Sequence, residues 1–129
     1  MTQPQLELKT EYDAFFPGTI AASRVVWDVG EGNPPPIGIE ARLVWSTSGK
    51  GDEDRKVIKN IRWEPSQPKG ERQVNFQLPW GPYSFSGKLI SLIWAIEVIM
   101  FPSKVSVRKE IVVGPNAEEV LLQPVSKTL

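Results

Sequence analysis

The chain has 129 residues, a length typical of one domain, and it contains neither Cys nor His. These absences exclude disulfides, thiol nucleophiles and thiolate zinc sites, and they remove the side chain that titrates unperturbed near neutral pH. Fifteen Lys and Arg balance fifteen Asp and Glu, so no net charge favours nucleic acid or an anionic membrane. We therefore predict one soluble domain whose partners, if it has any, are proteins.

No segment predicts secretion or membrane insertion. Met1–Thr10 is polar and lacks the apolar run of a signal peptide. Leu89–Phe101 is the most apolar stretch, but it is too short for a membrane-spanning helix and is interrupted by Ser91 and Glu97. We therefore expect a cytoplasmic protein.

The first half of the chain contains four segments whose apolar residues alternate as they do on β-strands, namely Gln5–Leu8, Thr19–Val29, Ile37–Trp45 and Arg55–Glu64. The third is the most regular, because its odd positions are all apolar while its even positions include Glu40 and Arg42. In the fourth, Ile58 and Lys59 break the alternation, which predicts a bulge or an edge position.

The second half contains three more strand candidates, Glu71–Leu78, Lys88–Met100 and Lys104–Val113. In Lys88–Met100 the even positions from Ile90 onward are all apolar and the other face is half apolar, which predicts a central strand. Turn-forming Gly and Pro residues separate the seven candidates. We therefore predict an all-β fold, a seven-stranded antiparallel β-sandwich of the immunoglobulin-like kind.

A domain boundary is predicted near residue 115. Residues 1–115 form the predicted sandwich, and residues 116–129 form a C-terminal tail that we expect to fray. Within the tail, Asn116 could cap a short helical turn containing Glu118 and Glu119, which Pro124 would end.

Two groups of turn and strand residues form a recognisable pattern. The first is Phe15–Ile20 followed by Val25–Trp27, and the second comprises Leu78–Pro79, Pro82–Gly87 and Ile93–Val98. The first is similar to the aromatic-x-Pro-Gly turn before the second strand of arrestin-like domains, including the single-chain bacterial relatives grouped with sporulation-control proteins. The second resembles that family's Leu-Pro and Pro-x-Ser elements and the aromatic strand after them. The resemblance implies an arrestin-like fold and a general role in protein binding or in the support of trafficking.

The chain departs from this family in three ways. Arrestins have two such sandwiches, and this chain is long enough for one. Ala22 and Ser23 stand where family members often have Gly. No group of charged residues in this chain matches the family's pattern. We therefore transfer neither receptor contacts nor a buried polar switch from the family to this chain.

Two loops contain residues that could bind a ligand. Ser46–Arg55 is rich in Ser, Gly, Lys and acidic residues, but it lacks the spacing of a phosphate loop and the alternate carboxylates of a calcium loop. A solvated hairpin loop is the favoured interpretation, and a weak metal or ligand site is the alternative. Gly30–Gly38 contains three consecutive prolines, which either form an extended segment that an aromatic groove can bind or simply stiffen the loop.

The candidate partner-binding residues are apolar and lie in the last crossover and the long strand after it. The first three could anchor a partner or cap the end of the sandwich. The last three occupy the second face of the long strand, where they could mediate self-association or be covered by a loop or the tail. The candidates are Trp80, Tyr83, Phe85, Leu89, Ile93 and Ile99.

These observations predict a non-enzymatic protein-binding or scaffolding module, active in regulation or trafficking, with an unidentified protein partner or a second copy in a homodimer. We predict no catalytic residue, no cofactor and no metal. The alternative is a small-molecule or sugar-binding β-sandwich, in which Trp45, Trp63 and Trp80 would stack on a ring if they are exposed.

An enzyme remains a third hypothesis. It would need a carboxylate pair drawn from Asp52, Glu53, Asp54 or Glu64 and converging in a cleft. Glu97, within the most apolar strand, is expected to be paired or solvated.

Overall fold

The computed structural model describes residues 3–49, 53–87, 89–118 and 120–121. These residues form an all-β fold with ten strand segments and one short 3-10 turn, Pro115–Ala117. The strands are β1 (Gln5–Thr10), β2 (Ala14–Phe15), β3 (Ile20–Asp28), β4 (Gly38–Gly49), β5 (Arg55–Trp63), β6 (Lys69–Gln77), β7 (Phe85–Ser86), β8 (Ile90–Phe101), β9 (Ser106–Val113) and β10 (Val120–Leu121).

The smaller sheet has three antiparallel strands in the order β1-β3-β6. Its central strand, β3, buries alternate residues such as Ala21 and Val25, and β6 buries Val74 and Phe76. Buried Ser23 donates its hydroxyl hydrogen to the carbonyl of Val74. The inner face of this sheet is therefore apolar and its one buried hydroxyl is satisfied.

The larger sheet runs β5-β4-β8, and β9 and β7 share the far edge of β8 at different heights. β2 pairs with β9 and β10 pairs with β7, and both of these short pairings are parallel. The sheet is thus mixed, which corrects the purely antiparallel prediction. Two-residue strands leave no alternation in the sequence from which they could be predicted.

The core lies between the two sheets. Trp94, Ile96, Val98 and Met100 of β8 are almost fully buried and belong to one apolar cluster with the inner residues of β3, β4, β6 and β9. Two stacked sheets with inward-facing alternate side chains form a sandwich. No helix among the described residues is long and apolar enough to cross a membrane.

Each of the seven predicted segments coincides with a strand of six or more residues, while the described residues form ten segments in all. β8 lies between β4 and β9, so the prediction of a central strand is confirmed. In β5, Lys59 pairs with Leu43 and Val57 pairs with Val44, which leaves Ile58 as the extra residue of a bulge. β5 is also an edge strand. Ile37, expected inside β4, precedes it and is exposed.

The tail differs from the sequence-based expectation at its start. Asn116 caps no helix; it lies inside the 3-10 turn in the left-handed conformation, with φ 63°. Val120–Leu121 then pairs with Phe85–Ser86. Glu119 and residues 122–129, including Pro124, lie outside the described residues, and the boundary at residue 115 stays a prediction.

The crossover from β6 to β7 is fastened to the larger sheet by three hydrogen bonds. The Ser84 amide donates to the Val113 carbonyl at 2.7 Å, and the Val113 amide donates to the Ser84 hydroxyl oxygen at 2.9 Å. The Trp94 indole N–H donates to the carbonyl of Pro82 at 2.8 Å. Because these groups are buried or partly buried, the bonds hold the crossover in one path across the end of the sandwich.

Replacing Ser84 with Ala should lower the free energy of unfolding by about 1–3 kcal/mol, because the Val113 amide then stays buried without an acceptor. Urea denaturation measures the change. Ser66→Ala, at an exposed loop position, is the matched control and should stay within about 0.5 kcal/mol of the parent. Equal effects of the two substitutions would contradict this account.

Candidate partner-binding surface at one end of the sandwich

A tight turn precedes β3. In Phe16-Pro17-Gly18-Thr19 the Thr19 amide donates to the Phe16 carbonyl at 3.3 Å, and the Thr19 hydroxyl donates to the same oxygen at 2.7 Å. Gly18 has φ 77°, which glycine adopts without steric cost. Pro followed by a left-handed Gly is typical of a type II turn, so the predicted Pro-Gly turn before the long strand is present.

This turn docks against the segment that leaves β6. The Leu78 amide donates to the Thr19 carbonyl at 2.8 Å, and the Gly18 amide donates to the Pro79 carbonyl at 3.2 Å. The side-chain amide of Gln77 donates to the Gly18 carbonyl. The indole of Trp80 lies directly over Gly18, where an added Cβ would come within 2.8 Å of ring atoms. Glycine is therefore needed at this position for two reasons, its φ and the ring above it.

Three large apolar side chains project from these docked segments. Phe16 is 52% exposed, Ile20 is 56% exposed and Trp80 is 79% exposed. Their neighbours along the chain, Phe15 and Leu78, already fill the core, so the three have no interior position to occupy. We call Phe16, Ile20 and Trp80 the end surface.

The six residues predicted from the sequence are not brought together on one surface. Trp80 belongs to the end surface, and Tyr83, three residues further along the crossover, is exposed. Phe85 is half-buried and packs against the core. Leu89 is exposed before β8 begins, whereas Ile93 and Ile99 are half-buried on the outer face of β8. The binding role of all six stays a prediction.

Sequence reasoning missed Phe16 and Ile20. One signal was available for Ile20, because it lies on the same face of β3 as Arg24 and Asp28, which is the solvent side. An isoleucine on the polar face at a strand end marks an exposed apolar position. Phe16 gave no such signal, because a ring before Pro-Gly can point inward as readily as outward.

The outer face of the larger sheet carries paired charges. Glu97 accepts hydrogen bonds from Arg55 and from Arg108, the latter at 2.6 Å, and Arg42 pairs with Glu40. Glu97 is therefore paired, as predicted. A shallow pocket of about 370 Å³ lies between Arg42 and Arg108. These long side chains flank Val44 and Ala95, which are fully buried on this face.

The tryptophans of the sugar-binding hypothesis have different environments. Trp45 and Trp63 are half-buried and pack against the core. Trp63 lies 6.2 Å from Trp27, and the guanidinium of Arg72 lies 4.9 Å above its ring. Of the three rings proposed to stack on a ligand, Trp80 is the one that is exposed.

The carboxylates of the enzyme hypothesis do not meet in a described cleft. Glu53, Asp54 and Glu64 are exposed, and Asp52 lies outside the described residues. Among the residues that the structure describes, no group of three or more acidic side chains could hold a metal ion. The carbonyl of Asp54 accepts the Thr47 amide hydrogen at 2.8 Å, so the hairpin of β4 and β5 extends as far as this pair.

The proline-rich loop is partly built into the fold. Pro36 is buried and Pro35 is half-buried, while Pro34 is exposed. The next residue, Ile37, donates its amide hydrogen to the Phe101 carbonyl at 3.0 Å. This arrangement favours the interpretation of the run as a stiff connection between strands.

Replacing Gly18 with Ala should destabilise the protein more than replacing Gly32 with Ala. Both residues have positive φ, 77° and 84°, so both variants should lose about 1–2 kcal/mol from backbone strain. A Cβ at Gly32 meets nothing within 4 Å, whereas one at Gly18 meets the exposed Trp80 ring, which must shift, and should cost up to about 1 kcal/mol more. Thermal and urea unfolding measure this difference, and equal losses would show that Trp80 does not rest on Gly18.

Removing the Glu97 charge should have a small, salt-dependent effect. Glu97→Gln leaves Arg55 without its anion and Arg108 with the longer pair to Glu110, and because these groups are partly exposed we expect a loss of about 1 kcal/mol at low salt. The loss should shrink in about 1 M salt, where charges are screened. Glu71→Gln, which breaks a longer and more exposed pair with Arg24, is the control and should be nearly neutral. A salt-independent loss would contradict the electrostatic explanation.

Comparison with known proteins identifies the fold. No family model and no curated protein matches the chain. Among solved structures, it is similar to Spo0M, a sporulation control protein from Bacillus subtilis, with 20% identity and a TM-score of 0.64 over 89% of this chain and 51% of that one. It is also similar to a β-glucosidase from Listeria innocua, with 18% identity and a TM-score of 0.49 over 92% of this chain and 17% of the enzyme.

The likeness to Spo0M concerns the fold. The chain spans about half the length of Spo0M, which has an arrestin-like fold. The likeness to the β-glucosidase covers a small part of that enzyme and carries no argument. The resemblance predicted from the two sequence patterns is thereby confirmed: this chain has an arrestin-like fold of the kind found in a bacterial sporulation-control protein.

Proposed function

We propose that this protein is a non-enzymatic binding or scaffolding module that recognises another protein through the end surface. The observation that supports this proposal is the exposure of Phe16, Ile20 and Trp80 together, on two turns that hydrogen bonds hold in place. Large apolar side chains on a rigid base are typical of protein interfaces, and Trp is the residue most often found at their energetic centre.

The surroundings of Trp80 favour a protein partner over a sugar. A sugar-binding site needs hydrogen-bonding side chains around the stacking ring, because hydroxyl groups leave water only for other polar partners. The polar side chains beside the end surface, Thr19 and Gln77, already donate hydrogen bonds to the carbonyls of Phe16 and Gly18. Trp45 and Trp63, which would have extended a stacking platform, pack against the core.

The composition supports a role without catalysis. The chain has no His and no Cys, so its candidate general bases and nucleophiles are carboxylates, hydroxyls and lysines. Glu53, Asp54 and Glu64 are exposed and do not converge in a described cleft. A regulatory role is proposed by analogy with the sporulation control protein that shares the fold, and the cytoplasmic location stays a prediction from the sequence.

Site-specific photo-crosslinking in the native cells tests this proposal. A photoreactive phenylalanine derivative placed at Ile20 should form covalent adducts with protein, and the adducts can be identified by mass spectrometry. Trp80→Ala in the same chain should reduce their yield by about tenfold or more, because truncation of a central tryptophan removes much of the binding energy. The same probe at Gln73, exposed on β6, is the matched control and should give no comparable adduct.

Three outcomes would overturn the proposal. They are the absence of protein adducts at Ile20, an equal yield at Gln73, and an unchanged yield after Trp80→Ala. Binding of a glycan panel that Trp80→Ala abolishes, without any protein adduct, would support the sugar-binding alternative instead.

A further inference from the structure

We propose that the partner of the end surface is a second copy of this chain, bound about a twofold axis so that Phe16, Ile20 and Trp80 of one copy pack on the same residues of the other. This inference rests on the proposed function and specifies its partner. It follows from the apolar area of the surface, the charge of the chain and the small apolar area around Ile37 at the opposite end.

The area of the end surface fits half of a standard interface. Phe and Trp side chains bury roughly 150–250 Å² each, so the exposed fractions of Phe16 and Trp80 correspond to roughly 260 Å² of apolar surface, to which the exposed part of Ile20 adds. A stable complex buries about 800 Å² per partner, of which a little over half is apolar. One end surface therefore supplies close to the apolar area that each partner of such a complex contributes.

The chemistry of the end surface suits self-pairing. In a twofold interface each residue meets the same patch on the partner, so an apolar patch meets an apolar patch without any need for complementary charge. Thr19 and Gln77, exposed at the margin, provide hydrogen-bonding groups for a rim. Two indole rings near the axis can stack in an offset or edge-to-face arrangement.

The charge of the chain does not oppose association. Fifteen positive and fifteen negative side chains give each copy a net charge of zero, so two copies do not repel each other over long distances. The nearest charged group tied to the surface is Lys59, whose ammonium donates to the Gln77 carbonyl at 2.9 Å. An exposed lysine of this kind can lie at the rim of an interface.

The opposite end of the sandwich does not supply a matching surface. Ile37 is 62% exposed there, but the adjoining Pro36 is buried and Pro35 is half-buried. Head-to-tail packing would bring the three end-surface residues against this small apolar area. Pairing of two end surfaces covers more apolar surface from both copies, and we therefore infer a closed dimer.

Sedimentation equilibrium over a range from micromolar to millimolar protein tests the inference. The full chain should move from its monomer mass of 14.4 kDa toward twice that mass, and Trp80 emission should shift to shorter wavelength as the dimer forms. Trp80→Ser should raise the dimer dissociation constant by about tenfold or more. Ile20→Lys, which places two like charges at the axis, should do the same.

Ile37→Ser is the matched control, since it removes an exposed apolar side chain of similar size from the other end and should leave the dissociation constant unchanged. Circular dichroism establishes that each variant is folded. A chain that stays monomeric over the whole range overturns the inference, as does a dimer that Ile37→Ser weakens as much as Trp80→Ser. A monomer whose Ile20 probe still crosslinks to a different protein overturns the dimer alone, whereas a monomer without any protein adduct overturns the proposed function as well.

Discussion

The indole of Trp94 has to be buried and hydrogen-bonded at the same time. It lies on the inner face of β8 with no exposed surface, where it fills the middle of the core between the sheets. A buried indole N–H without an acceptor is costly, and the acceptor here is the carbonyl of Pro82 in the crossover. The path of the crossover is therefore constrained by a buried residue of the core. Ser84, bonded in both directions to Val113, fixes the same segment to the neighbouring strand.

The position of the end surface follows from this constraint. With Pro82 and Ser84 fixed, the chain must leave β6 at Leu78 and turn outward before it reaches the larger sheet. Leu78 enters the core, and Trp80 is left outside, resting on Gly18. The hydrogen bonds between the two turns give the exposed ring a rigid base, which lowers the entropic cost of binding a partner.

Two other boundaries of the sandwich carry features that discourage association. The edge strand β5 contains a bulge, and Lys59 shares the inner face of Leu43 at this edge, a position that discourages pairing with another strand. Arg72 of β6 covers Trp63 on the same side of the molecule. On the outer face of the larger sheet, the charged side chains around Glu97 flank the apolar residues of β4 and β8. Large apolar side chains are also exposed at Tyr12, Leu89 and Ile90, and the end with Phe16, Ile20 and Trp80 combines such exposure with turns that are held by hydrogen bonds.

The fold class, the positions of the long strands and the arrestin-like resemblance could be predicted from the residues alone. Alternation with a period of two is a local property, and apolar residues in that pattern can leave water only between stacked sheets. The irregularity at Ile58 and Lys59 likewise predicted a feature of β5 from its own residues. The short parallel pairings of β2 and β10 could not be predicted, because a strand of two residues is too short to show alternation of apolar and polar side chains.

Tertiary structure alone decided which aromatic residues are exposed. Trp45, Trp63 and Trp80 were equivalent candidates in the sequence, and packing against Trp27 and the core buried much of Trp63 while the crossover left Trp80 outside. Gly18 and Trp80 are far apart in the chain, and they became neighbours because β3 and β6 pair in a register that aligns their ends. Exposure depends on contacts between distant segments, and no local pattern contains that information.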